Sequence, residues 1–397
     1  MKIGDISKDI EISEDDFALL ITIQFTAIIF GKFFMSTIVD FTLPNRFLSI
    51  SLLIVSCGLI VLTQISTFLS LSVVIFIISF VQSGGWGIIS KLCKIHFLES
   101  FVPVLLGYLL NAGSISGIFY AFDNSEIWKD RCYVATCVGV VLSLISFIIF
   151  SYKSIPKDDG KKKIVEDKGF KEIYTNQDIL NVALGYFFVL QCRSLAETRG
   201  QKYLLQFPEI DVKKANLYYD IGGFFGGAIS GLIASSSEFN FYTEASIIIT
   251  LVGTGAFFMD TPPFIPLFGV IGFFIIASMN FMENTCVRKV PFKSMGKCTA
   301  FVSTIANCGS MTVGLPFEYF IKYSSYKIIP QIFIIETIFY ISYKMVQINN
   351  KYYKKSTKND EKVENETEEE IKDDKTIKKE INKRIIQSRV IKRNKKS

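Results

Sequence analysis

Eleven apolar runs, each close to the length that carries an α-helix across a bilayer, follow one another through most of this chain. The hydrocarbon core of a membrane is about 30 Å thick and a helix rises about 1.5 Å per residue, so a span needs about 20 apolar residues. Runs at 17–39, 47–69, 71–90, 101–122, 133–152, 178–196, 216–235, 244–260, 263–282, 298–317 and 326–346 satisfy that need. Some nearly abut; Pro262-Pro263 and clusters of Ser, Thr and Gln separate them. Soluble helices this apolar would keep no polar face for water. The expected fold class is therefore an all-α polytopic membrane protein. The first sixteen residues are acidic, so a cleavable signal peptide is not expected.

Charge is spread unevenly. Residues 347–397 hold sixteen Lys/Arg against ten Asp/Glu, which accounts for the whole net charge of +6 and leaves 27 of each elsewhere. The net charge therefore gives no reason to expect a nucleic-acid partner. One His and eight scattered Cys without a C-x-x-C pair offer no metal site and no disulfide framework, and no cofactor is expected. No cluster of acids, His or Cys gathers at the span ends, as a membrane-embedded enzyme would need.

The basic loops set the orientation. Arg46, Lys91, Lys94, the lysines of 153–171 and Arg288, Lys289, Lys293 and Lys297 fall on one side, and with the basic tail they are expected to be cytoplasmic. Eleven spans then place the amino terminus on the far side. The expected organisation is a non-cytoplasmic segment 1–16, a helix bundle 17–152, a cytosolic linker 153–177, a six-helix bundle 178–346 and a charged, disordered cytosolic tail 347–397.

An internal echo joins the bundles. Asn111-Ala-Gly-Ser and Asn307-Cys-Gly-Ser both lie mid-span, 196 residues apart. Shifted by 196, each of the first five spans overlaps a span of the second block, whereas 178–196 has no partner. The first bundle thus reads as a six-helix repeat lacking its first helix. Repeated halves with substrate between them, near the bilayer midplane, are a common plan for transporters.

Two cations stand out. Lys32 lies deep in 17–39 and Arg193 near the end of 178–196. A cation at mid-bilayer costs about 2.5–3.5 kcal/mol on insertion scales, so such residues usually face a wet cavity or a partner. The small residues Gly222, Gly223, Gly226, Gly227 and Gly231 give one flat helix face, suited to static packing or to a moving interface. Glu318, at a span end, is expected to be solvated, and Glu336 is given no role.

Three motifs carry a resemblance: Gln82-Ser-Gly-Gly85-Trp86-Gly followed by Lys91; Tyr219-Asp220-Ile-Gly222-Gly223-Phe-Phe-Gly226-Gly227 with Gly231; and Gly314-Leu315-Pro316-Phe317. In this order the chain resembles the sugar-phosphate/phosphate exchangers of the major facilitator superfamily, and is most similar to their glucose-6-phosphate transporter branch. The resemblance covers about 15–345 and implies a major facilitator fold of two pseudo-symmetric bundles, here with five and six helices. It also implies exchange of a phosphorylated sugar or related organophosphate for inorganic phosphate. By the resemblance, Lys32 in Gly31-Lys32-Phe33 matches the binding-site lysine of the family's second helix. Arg193 matches the basic residue that faces the substrate phosphate, and Trp86 and Tyr219 line the cavity. The glycines, Asn111, Asn307 and the loop residue Asp40 take packing or gating roles.

Departures accompany the likeness. The family's other phosphate-binding Arg lies on the helix this chain lacks, Phe41 stands where a basic residue is usual, and Ser235 replaces an acid. His96 occupies a helix end where the family often has Trp. A second expectation therefore stays open: a transport-inactive relative acting as receptor, scaffold or subunit. The ending Arg393-Asn-Lys395-Lys396-Ser resembles a cytosolic dibasic retrieval signal, so the membrane is expected to be that of the endoplasmic reticulum or the plasma membrane; a tail that touches anionic lipid reads equally well. The oligomeric state is left open.

Overall fold

A computed structural model describes residues 12–38, 43–98, 101–122, 128–152, 170–235, 239–259, 262–290 and 294–350. Among these every regular element is helical. In order they are α1 Glu14–Ile38, α2 Pro44–Leu62, α3 Phe68–Gln82, α4 Gly85–His96, α5 Val102–Phe122, α6 Trp128–Tyr152, the short α7 Phe170–Tyr174, and α8 Gln177–Ser194. A π-helix, Leu195–Gly200, extends α8 into the short α9 Gln201–Leu204, followed by α10 Val212–Ala234, α11 Phe239–Phe257, α12 Ile265–Lys289, α13 Met295–Thr312 and α14 Leu315–Ser324. The last, α15, is Ile328–Asn350. Contacts divide the chain into two units, Met1–Thr337 and Ile338–Ser397, the second of which begins within α15.

Each of the eleven apolar runs falls on a helix. Eight helical segments are long and apolar enough to cross a membrane, and Arg46–Leu62 is a shorter apolar helix. Glycine-rich α10 and α11, which opens on polar residues, are not among the eight.

Local chemistry explains the boundaries. The Thr67 hydroxyl accepts from the Ser70 N–H at the start of α3, the Asn176 side chain from the Asp178 N–H at the start of α8, and Asp211 from the Lys214 N–H at the start of α10. Proline sits in the first turn of α2, α12 and α14, where no N–H is needed. Three runs are broken inside the span: 47–69 between α2 and α3, 71–90 between α3 and α4, and 298–317 after Thr312, where Val313-Gly314 separates α13 from α14.

Two antiparallel seams hold the first unit together. Along α5 and α10, Gly107 lies opposite Gly231, Asn111 opposite Gly227, Ser114 opposite Gly223 and Gly117 opposite Asp220. Along α1 and α13–α14, the Thr26 hydroxyl meets the Met311 sulfur at 3.7 Å and Thr22 accepts from the Leu315 N–H at 3.0 Å. The two seams share one register. Facing residue numbers sum to 337 or 338 along α5 and α10 and to 337 at 26/311 and 22/315, a sum that raising one helix by 196 and lowering the other by 196 leaves unchanged. The offset that relates the two Asn-x-Gly-Ser echoes thus also relates the two seams.

The glycines of α10 do not form one face. Gly222 and Gly226 lie on the backbone of α12 at Gly269 and Phe273, whereas Gly223, Gly227 and Gly231 lie on α5. One turn of helix carries both sets about 100° apart, so a single sequence cluster serves two interfaces. Of the packing or gating residues expected from sequence, the second set and Asn111, which Gly227 faces, lie between the spans assigned to different halves.

Candidate functional site

Lys32 stands on α1 beside Gly31, and Gly31 lets the helix lie directly on the Phe80 carbonyl and Ser83 of α3. Lys32 is half-buried, and its ammonium acts through space on the carboxylate of Glu283, from α12. Glu283 is 3% exposed and accepts from the Tyr186 hydroxyl of α8 at 3.1 Å. Trp86, at the start of α4, faces the same carboxylate, although its indole N–H makes no hydrogen bond of normal geometry. Four helices therefore converge on Glu283.

Arg193 occupies the last turn of α8. Its Nε donates to Glu197 Oε1 at 2.8 Å and its Nη1 approaches the Met279 sulfur at 3.4 Å. The guanidinium reaches across to α5: a methyl group on Gly113 would lie 3.7 Å from Nη2. Its side chain stays 30% exposed and that of Glu197 44%, so this pair can meet solvent. Tyr219 of α10 lies within electrostatic reach of both, its ring tilted on Phe268 at 4.9 Å and its buried hydroxyl without a partner. Tyr186 interacts with both Glu283 and Arg193 and so links the two groups.

The structure thus brings Lys32 and Trp86 to one carboxylate, Arg193 and Tyr219 to another, and joins the pairs through Tyr186. Each cation is accompanied by an acid that sequence reading did not assign to it. Asn111 is fully buried in the α5–α10 seam with neither carboxamide atom partnered, and Asn307 donates back to the Ser303 carbonyl at 2.7 Å. Both are seam or helix residues, apart from the charged groups. Asp40 and Phe41 lie outside the described residues, as do 153–169 of the linker and 351–397 of the tail.

The expectation that Glu318 is solvated is corrected. Its side chain is 16% exposed and pairs with Arg199, itself 1% exposed. Arg199 also donates to the carbonyls of Val313 and Gly314 at 3.4 and 3.3 Å. The Val313 carbonyl, freed by the break between α13 and α14, takes the buried guanidinium as its donor, while the Gly314 carbonyl, which accepts from the Glu318 N–H at 3.1 Å, gains a second donor. Phe17 of α1 lies over the same cation at 6.0 Å and over Lys202 at 4.1 Å. Glu336 is also set in the protein, with a buried oxygen lacking a hydrogen-bond partner. Among the described residues no group of three or more His, Cys, Asp or Glu could hold a metal ion.

Known proteins extend this picture. The profile of the Major Facilitator Superfamily matches residues 1–315. A crystal structure of a mutant of the nucleoside transporter NupG is similar at a TM-score of 0.56, with 13% identity over 86% of this chain and 93% of that one. A second crystal structure of NupG gives 0.54 and 12% over the same shares. No curated protein sequence matches this chain. With the profile spanning most of its length, on an all-helical fold shared with a transporter, the chain belongs to the Major Facilitator Superfamily.

Proposed function

We propose that this protein is a secondary transporter that exchanges a sugar phosphate or related organophosphate for inorganic phosphate by alternating access. The observation that carries the reading is Arg193, a part-exposed guanidinium aimed from α8 across Gly113 of α5. Its planar fork suits two phosphoryl oxygens, and Lys32 adds a second, mobile charge. The Tyr219 hydroxyl, buried beside Arg193 and unpartnered, is a further donor for the same group. Glu197 and Glu283 would neutralise the cations in the empty site, and substrate oxygens would replace them. Bundles 17–152 and 178–346 would rock about the two seams, in the membrane of the endoplasmic reticulum or the cell surface, with the amino terminus non-cytoplasmic.

Proteoliposomes loaded with phosphate should exchange it for external labelled phosphate and for hexose phosphates, and Arg193→Ala should abolish exchange. Undiminished exchange in that variant overturns the site assignment. Transport of nucleosides, the activity named for the similar structures, with no phosphate exchange would overturn the substrate class.

A second reading, a transport-inactive relative serving as receptor, scaffold or subunit, is favoured by one observation: with an acid beside each cation, the site carries no net positive charge. Folded protein that moves none of these solutes would support it.

A further inference from the structure

The Asn-x-Gly-Ser echo puts a glycine in the middle of two spans, and the two glycines meet different surroundings. Gly309 of α13 is covered by α8, where any side chain on it would overlap the Phe187 carbonyl. One turn on, Thr312 accepts from Gln191 of the same helix at 3.1 Å. Their counterparts 196 residues earlier, on α5, are Gly113 and Ser116, and both are exposed. A methyl group on Gly113 would have one neighbour within 4 Å, the Nη2 of Arg193 at 3.7 Å. The small size of Gly309 serves helix packing, and that of Gly113 does not.

The guanidinium leaves the same edge open. Its Nε is bonded to Glu197 and its Nη1 lies on the Met279 sulfur, while Nη2 makes no hydrogen bond among the described residues. An anionic oxygen bonded to a guanidinium N–H sits about 2.7–2.9 Å from the nitrogen. On the side facing α5 that position falls within the 3.7 Å gap, so an oxyanion and a side chain at 113 compete for one space.

We propose that Gly113 is a specificity-determining residue of the transport site: having no side chain, it leaves open, in front of Arg193 Nη2, the space in which the oxyanion of the substrate seats. That the oxyanion is a phosphoryl group rests on the exchanger reading above; the open gap does not.

The test uses a background without native cysteines, in which Gly113→Cys is treated with a negatively and a positively charged methanethiosulfonate. Each rate is divided by that of a free thiol in solution. The anionic reagent should be favoured, and adding Arg193→Ala should lower that preference about tenfold, because the cation that concentrates anions at the gap is gone. Inorganic phosphate should slow the labelling. A preference that does not depend on Arg193 overturns the proposal, and so does failure of both reagents to react, as under lipid or another helix. An Arg193-dependent preference with protection by succinate and none by phosphate upholds the gap and sinks the phosphate reading. Should Gly113→Cys not fold, Gly113→Ala decides. It should raise the KM for phosphate about tenfold or more, as loss of a hydrogen bond to a charged group does, at an unchanged melting temperature. Gly309→Ala should instead lower the melting temperature. An unchanged KM in Gly113→Ala overturns the proposal.

Discussion

Gly227 of α10 lies so close to Asn111 of α5 that a side chain at 227 would occupy the space of the Asn111 carboxamide. Gly227→Ala should therefore force the seam apart or twist Asn111, at a cost of about 1–3 kcal/mol as for other overpacked sites. Gly231→Ala, whose methyl group would lie 3.1 Å from the Val104 Cα, should cost less. Thermal unfolding of the purified protein in detergent ranks the two.

Gly222→Ala tests the other interface of the same helix. The methyl group would meet the Gly269 carbonyl, which is backbone and cannot move aside. Failure of α10 to pack on α12 should appear as loss of folded protein by size-exclusion chromatography, a larger defect than Gly227→Ala gives.

Arg199 and Glu318 form a buried pair that also closes the break in α13–α14. Glu318→Gln should cost about 3–5 kcal/mol, because it leaves a buried guanidinium without its counter-charge. Replacement of both, Arg199→Met with Glu318→Leu, should recover only part of that, since the Val313 carbonyl then loses its donor. A double-mutant cycle on melting temperature measures the coupling.

Glu197 competes with substrate for Arg193 if the exchanger reading holds. Glu197→Gln should then lower the KM for phosphate by a few fold, in keeping with about 0.2–1 kcal/mol for a solvent-accessible pair. A raised KM would mean that Glu197 holds Arg193 in place for the substrate.

Thr26 and Met311 meet across the α1–α13 seam. In a background without native cysteines, Thr26→Cys with Met311→Cys should cross-link on oxidation and stop transport, and reduction should restore it.

Much of the fold was legible in the sequence because lipid leaves few alternatives: an apolar run of the right length turns helical, and all eleven lie on helix, although three are split by a break. Lys32 and Arg193 were legible for the same reason, as charges with no solvent in sequence reach. Glu283 was not. It follows Asn280 and precedes Asn284, Thr285 and Arg288, so hydropathy ends the span at 282, whereas α12 runs on to Lys289. Arg199 was missed similarly, because the apolar run stops at 196 while the helix continues through a wider turn. The glycines of α10 were found but merged. Spacing gives their positions around one helix, and only the neighbours α5 and α12 divide them.

That wider turn, Leu195–Gly200, follows one guanidinium and carries another of opposite assignment: Arg193 faces the candidate site, and Arg199 is sealed among carbonyls. A π-turn holds about one residue more than an α-turn, so its relaxation would rotate everything beyond it by about 100°. Such a step would carry Arg199 off the α13–α14 break and leave the Val313 carbonyl without its donor. The same six residues therefore tie the position of Arg193, just before them, to that of Arg199, near their end.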